Sequence, residues 1–317
     1  MKILIALGAK EHHKEQLQRN AADAELLFVP AEKVRKEDLA DVDAIIGNVP
    51  TELLPAAKKL RWLQLNTAGA DAYCKAGVLK EDVLLTNATG AYGLALSEHL
   101  LAQLLAMMKK LYPYYENQRK GLWHDEGRVT SVEDATVLIL GAGDIGRAFA
   151  RRVKALGAYV IGVRRRKGAK PVGIDEMGTM DGLDSLLARA DIVVSVLPGT
   201  AATKGVFDKK RFAAMKKGAY FLNIGRGDAV VTDDLIAAMK EGCLAGAALD
   251  VTDPEPLPAD HALWHTPNVY ITPHISGDDH LSATQDKIVQ IAARNLAAFM
   301  RGVPLENLVD RTTGYKD

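Results

Sequence analysis

Three residues, each just past a short apolar run, carry side chains able to hold an acid or move a proton. Arg226 stands between two glycines in Leu222-Asn223-Ile224-Gly225-Arg226-Gly227-Asp228. Glu255 lies in Asp253-Pro254-Glu255-Pro256-Leu257-Pro258, a proline-stiffened loop that follows Ala248-Leu249-Asp250-Val251. His274 follows Ile271-Thr272-Pro273. A guanidinium grips a carboxylate through paired, charge-assisted hydrogen bonds and so fixes the neighbouring carbonyl. A protonated imidazole donates to that carbonyl oxygen as a hydride reaches carbon, and takes the proton back in the reverse direction. A carboxylate on the other ring nitrogen would favour the charged imidazole and orient it. Together the three suit reversible reduction of a 2-keto acid. Singly, each has a plainer reading: a turn arginine, a surface carboxylate, a polar residue at a strand end.

The elements that must position them alternate between strand and helix. Thr136-Val-Leu-Ile-Leu140 runs into Gly141-Ala142-Gly143-Asp144-Ile145-Gly146, and an amphipathic helix leaves that turn. Gly141 permits the tight turn, Gly143 lets the backbone approach a phosphate, and Gly146 lets helix and strand pack closely. The helix then offers unpaired N–H groups and its positive dipole end to a pyrophosphate. Further strands are expected at 159–163, 192–197, 220–224, 247–251 and 269–272, which with 136–140 gives six parallel strands of a doubly wound dinucleotide fold. Ligands in such sheets bind at the carboxyl ends of the strands, where Arg226, Glu255 and His274 all fall.

The first hundred residues show their own β-α rhythm. Strand-like runs at 2–7, 25–29, 44–47, 62–66 and 83–86 alternate with helical patterns at 12–20, 34–39, 52–60 and 71–76. That pattern predicts a second parallel sheet covered on both faces. A run at 94–111, apolar nearly all round, predicts a buried helix. The final helix, about 281–300, has no strand to feed in the dinucleotide sheet and is expected to pack back on the N-terminal domain.

Coenzyme choice is written after the second strand of the dinucleotide fold. An NAD site carries an acidic residue there to accept from the ribose 2′-OH. This chain has Gly162-Val163-Arg164-Arg165-Arg166-Lys167 instead. Guanidinium groups pair with a 2′-phosphate, so NADP is the expected coenzyme, with Arg164 and Arg165 as its main contacts and NAD as the weaker alternative. A solvated basic loop is the competing reading.

Bulk properties exclude several classes. The 317 residues suit two domains, and 40 basic residues balance 40 acidic ones. No general nucleic-acid or anionic-membrane surface is indicated. Cys74 and Cys243 lie far apart, with neither disulfide nor metal spacing, which fits a cytoplasmic protein with no metal site. The N-terminal apolar run is too short for a signal-peptide core, and no stretch reaches membrane-spanning length.

Taken in order, the motifs Gly141–Gly146, Asn223-Ile224-Gly225-Arg226-Gly227, Asp253–Pro258 and Thr272-Pro273-His274 resemble those of the D-isomer-specific 2-hydroxyacid dehydrogenases. Asn66–Asp71, Asn87-Ala88-Thr89-Gly90 and Ser97-Glu98-His99 support the likeness, which spans nearly the whole chain. The resemblance implies a flavodoxin-like, discontinuous substrate domain (1–97 and 284–317), a Rossmann dinucleotide-binding domain (98–283), a cleft between them, and a homodimer formed through the Rossmann domain. It makes Arg226, Glu255 and His274 the catalytic set. The coenzyme contacts it implies are Gly141, Gly143, Asp144, Ile145, Gly146, Arg164, Arg165, Leu197, Pro198, Ile224 and Asp250, the last near the nicotinamide carboxamide. Thr67, Ala68, Gly69 and Ala70 correspond to the loop whose backbone N–H groups meet the substrate carboxylate, with Arg226 as the other substrate contact. The basic run points toward members resembling glyoxylate and hydroxypyruvate reductases. His99, in the apolar helix, is expected to be structural. A dinucleotide-sensing binding protein of the same fold, catalytically idle, is the alternative from another class.

Overall fold

The computed structural model describes residues 1–165, 169–277, 280–312 and 314–316. The chain divides into two compact units, Met1–Tyr92 with Asp279–Asp317, and Gly93–Asp278.

The first unit is built on β1 (Lys2–Ile5), α1 (Glu11–Asn20), β2 (Glu25–Phe28), α2 (Lys36–Leu39), β3 (Ala44–Ile46), β4 (Trp62–Gln64) and β5 (Leu84–Thr86). The strands are parallel and lie in the order β2-β1-β3-β4-β5. Burial on both faces explains their near-continuous apolar sequences. Leu4, Ile45 and Leu63 pack on one side; Ile3, Ile5, Ile46 and Trp62 pack on the other against Val289, Ala292, Ala293 and Leu296 of the helix Ser282–Arg301. Asn295 of that helix donates to Gln64 Oε1 at 2.7 Å, and Trp62 Nε1 donates to Thr86 Oγ1 at 2.8 Å. Every polar group in that buried set thereby has a partner.

Two expected helices take other forms. Residues 52–60 contain only the 3-10 turn Thr51–Ala56, because Pro55 has no N–H to continue an α-helix. Residues 71–76 form turns rather than a helix, the amides of Tyr73 and Cys74 both going to the Ala70 carbonyl.

The second unit contains α3 (Gly93–Met108), α4 (Leu111–Arg119), β6 (Thr136–Leu140), α5 (Asp144–Ala155), β7 (Tyr159–Val163), β8 (Glu176–Gly178), α6 (Leu183–Leu187), β9 (Ile192–Ser195), α7 (Lys209–Ala214), β10 (Ala219–Asn223), α8 (Thr232–Lys240), β11 (Leu244–Leu249) and β12 (Val269–Ile271). Its sheet is parallel throughout, in the order β12-β11-β10-β9-β6-β7-β8. It has seven strands, not the expected six. The additional one, β8, reads Glu-Met-Gly and has no apolar run; only its pairing along the edge of β7 makes it a strand. The order reverses between β6 and β9, which places the switch point beside the glycine turn. The helix expected over 94–111 is α3, Gly93–Met108, and α4 begins at Leu111, after Lys110, which adopts a left-handed φ of 56°.

Candidate active site

The glycine turn after β6 is shaped by its neighbours. Gly141 has φ +104°, and a Cβ there would lie 2.5 Å from the Val196 carbonyl oxygen. At Gly146 a Cβ would lie 2.2 Å from the Gly141 carbonyl oxygen, so α5 can begin this close to β6 only with glycine. At Gly143 a Cβ would meet nothing within 4 Å, and the amides of residues 143–146 have no acceptor among the described residues. Open space in front of unpaired helix N–H groups fits a pyrophosphate. Asp144 accepts the Gly93 amide at 2.9 Å, joining the start of α3 to the start of α5. Ile145 is half-buried beside it.

The Val163 carbonyl at the end of β7 accepts the amides of Gly141 and Ala142 at 2.9 and 3.0 Å. Arg164 and Arg165 therefore follow directly from a residue bonded to the glycine turn. Arg164 is half-buried, with Nη2 donating to the Ala169 carbonyl at 3.0 Å, and Arg165 is exposed. Arg166 and Lys167 lie outside the described residues. Leu197, half-buried Pro198 and Ile224 extend β9 and β10, Leu197 and Ile224 being buried.

The ends of β10, β11 and β12 hold the three chemical side chains. Beyond β10, Asn223 braces the next turn: its Nδ2 donates to the Arg226 carbonyl at 2.8 Å, and its Oδ1 accepts the Gly225 amide at 3.2 Å. Arg226 Nη1 donates to the Gly225 carbonyl at 2.8 Å, leaving the half-buried guanidinium held by its own turn. In the loop after β11, Thr232 Oγ1 donates to the Asp253 carbonyl at 3.0 Å and Thr252 Oγ1 to that of Pro254 at 2.9 Å. Glu255 is held in that loop, and its Oε1 is hydrogen-bonded to His274 Nδ1. The His274 and Glu255 side chains stay 46% and 39% exposed. A proton on Nδ1 leaves Nε2 as the atom available to a reactant.

His274 itself has φ +52°. Its amide donates to the Asp250 carbonyl at 2.8 Å, and the Asp250 amide donates to the Asn223 carbonyl at 3.0 Å. Arg226 and His274 are thus connected through Asn223 and Asp250. The Asp250 carboxylate, only 4% exposed, is bonded by Thr272, Ile275 and Ser276. Behind it, His99 Nε2 lies 3.2 Å from Thr272 Oγ1 and 4.0 Å from Asp250 Oδ1.

In the first unit, the loop after β4 has the opposite polarity. Its carbonyls are occupied: that of Asn66 by the Tyr92 hydroxyl, Thr67 by the Ala88 amide at 2.9 Å, Ala68 by Asn87 Nδ2 at 2.7 Å and Gly69 by Thr67 Oγ1 at 2.8 Å. The amides of Thr67, Ala68, Gly69 and Ala70 have no acceptor among the described residues. A run of unpaired N–H groups with small side chains fits an anion.

A profile for the D-isomer specific 2-hydroxyacid dehydrogenase family, NAD binding domain, matches residues 101–276. The chain belongs to this family. A glyoxylate reductase of Thermofilum pendens is 30% identical over 296 residues, covering 89% of this chain and 85% of its own. A family protein from Aeromonas salmonicida shares 34% identity and superposes with a TM-score of 0.87, covering 98% and 99% of the two chains. The NADPH-dependent glyoxylate/hydroxypyruvate reductase of Sinorhizobium meliloti, solved with NADP and sulfate, shares 29% identity with a TM-score of 0.83, covering 99% of each.

For this dehydrogenase, the residues with no role legible in the sequence are the braces: Asn48, Asn87, Thr272 and Ser276. Asn48 accepts the Asn66 amide at 3.0 Å and donates to Thr67 Oγ1 at 3.1 Å. Ser276, two residues beyond His274, offers a weak local signal; the others show only in three dimensions. Among the described residues, one group places three metal-type ligand atoms within mutual reach: His12, His13 and Asp286. There His13 Nδ1 accepts the Lys10 amide at 3.2 Å while Nε2 faces Asp286 Oδ1 at 2.8 Å, so the Nε2 proton is already placed. A metal on Nε2 would force that proton onto Nδ1, against the Lys10 N–H. No helix among the described residues is long and apolar enough to cross a membrane.

Proposed function

We propose that this D-2-hydroxyacid dehydrogenase reduces small 2-keto acids with NADPH, in the manner of a glyoxylate/hydroxypyruvate reductase, with Arg226, Glu255 and His274 as its catalytic residues. The observation that carries the reading is the Glu255–His274 pair, which fixes the ring through Nδ1 and leaves Nε2 to serve the carbonyl oxygen. A bound reduced nicotinamide supplies the hydride. Arg226 holds the acid's carboxylate and polarises its carbonyl; in the first unit, the amides of Thr67, Ala68, Gly69 and Ala70 suit a carboxylate. His274 donates the proton, and Glu255 supplies the counter-charge to the imidazolium. Gly141, Gly143, Asp144, Ile145, Gly146, Leu197, Pro198 and Ile224 form the dinucleotide site.

Support for NADP comes from Arg164 and Arg165 where an acidic residue would select NAD, and from the NADP bound by the Sinorhizobium enzyme. The small residues of the 67–70 loop favour compact acids such as glyoxylate, hydroxypyruvate or pyruvate. We also propose a homodimer through the second unit, where Leu111, Tyr115, Leu122 and Trp123 are exposed together in α4 and the segment after it. The two free cysteines accord with a cytoplasmic setting.

Steady-state oxidation of NADPH and NADH against a panel of 2-keto acids tests the reading. The expected result is turnover of the compact acids with NADPH preferred, and loss of at least 10²-fold in kcat in His274→Ala and Arg226→Ala while dinucleotide still binds. Turnover on none of the acids would instead favour a dinucleotide sensor, and preference for bulky aromatic acids or for NADH would overturn the corresponding part.

A further inference from the structure

His274 sits at φ +52°, in a left-handed backbone conformation that disfavours a residue with a Cβ. Asp250 is placed to hold it there. Thr272 Oγ1 and the Ile275 amide donate to Oδ1 at 2.6 and 3.1 Å; the Ser276 amide donates to Oδ2 at 3.2 Å, joined by the Ser276 hydroxyl. The Asp250 carbonyl takes the amide of His274 at 2.8 Å. One buried carboxylate thus binds both flanks of the histidine, and its four donors fill the acceptor sites of a carboxylate. Its own amide is fixed by Asn223, the residue that braces the Arg226 turn.

We propose that Asp250 is a positioning residue for the proton donor, holding the 272–276 loop so that His274 reaches Glu255 with Nδ1 and presents Nε2 to the reacting carbonyl. This rests on the role proposed above for His274, and gives Asp250 a duty in that loop beside any contact with the coenzyme. An amide cannot replace the carboxylate. Asn accepts with one oxygen only, and its NH₂ would face either the Thr272 and Ile275 donors or those of Ser276. A misplacement of about 1 Å in a reacting group lowers rate by as much as about 10²-fold.

The test is Asp250→Asn in the full-length protein, read in two ways. Proton NMR of the protein without added dinucleotide is expected to show a strongly downfield His274 Nδ1 proton, identified by its loss in His274→Ala, and to show it lost or broadened in Asp250→Asn. Kinetics are expected to show kcat down roughly 10- to 100-fold, with keto-acid KM and NADPH Kd within about 3-fold and the fold retained by circular dichroism. A downfield proton and kcat that both survive would overturn the proposal, as would a raised NADPH Kd with kcat retained, which would leave Asp250 to the coenzyme alone. If Asp250→Asn does not fold, Ser276→Ala and Thr272→Val decide: each removes one donor and is expected to lower kcat about 3- to 10-fold. Unchanged kcat in both would sink the proposal. A wild-type protein with the downfield proton but no turnover would count against the proposed reaction and leave the positioning role standing.

Discussion

In the loop of residues 67–70 the carbonyls are tied down and the amides have no acceptor among the described residues, whereas at the ends of β10, β11 and β12 the backbone is tied down and charged side chains are what the turns present. Both arrangements suit an acidic substrate, and they fail in different ways. Backbone donors tolerate a change of side chain but depend on the shape of the loop, so the residues that matter are braces such as Asn87 and Asn48. Side-chain donors depend on identity at one position. On the function proposed above, the first kind would serve only to hold an acid, while the second would also decide whether a proton moves.

The sharpest break of that comparison is Glu255→Gln. An amide keeps the approximate shape but removes the counter-charge from His274, so kcat is expected to fall about 10²-fold with little change in keto-acid KM; an equal loss in both would merge the two regions into one function. Arg164→Ala tests a side chain added to a backbone cradle. NADPH KM should rise roughly 10- to 30-fold through loss of a charged hydrogen bond, while NADH kinetics hold, as seen in parallel titrations of the two coenzymes. Removing a brace should act on binding alone: Asn87→Ala frees the Ala68 carbonyl and is expected to raise keto-acid KM about 5- to 10-fold with kcat retained. A fall in kcat of the same size would show that the amide loop also serves the chemical step.

Asp286 offers a control remote from these loops in sequence and hydrogen bonding. The hydrogen bond from His13 lowers its pKa below the usual carboxylate value of 3.8, with His12 adding to the effect. A depressed carboxylate stabilises the fold above its unfolded pKa, and that contribution is lost as pH falls through the folded value. Asp286→Asn should therefore give a slightly lower Tm at neutral pH, a difference that shrinks as pH falls below about 4, with kinetics unchanged. Melting curves across that range check it.

The two parallel sheets were legible because burial on both faces writes unbroken apolar runs, and the glycine turn because each glycine answers a separate steric demand. Strand β8 was not, since Glu176-Met177-Gly178 becomes a strand only through its neighbour β7. Nor was the break between α3 and α4, where a lysine rather than a glycine takes the left-handed conformation. In the candidate site, residue types and their places at strand ends pointed to Arg226, Glu255 and His274. The bracing by Asn223, Asp250 and Asn87 was hidden because it depends on register and on which lone pair meets which donor. Asp250 in particular was expected from the family resemblance as a coenzyme contact, and nothing in the sequence shows the bonds it makes to the 272–276 loop.

Gly225 and Gly227 give the Arg226 turn a property that reaches beyond catalysis. A methyl group at Gly225 would lie 2.3 Å from the Leu197 carbonyl oxygen, and one at Gly227 would lie 1.9 Å from that of Thr252. The turn is keyed between the backbones that leave β9 and β11, so those three segments form one interlocking part. Grafting any of them from a relative would transplant a mismatched tooth. Attempts to redirect this dehydrogenase to other acids should exchange the three as a cassette, or leave them intact and vary the 67–70 loop.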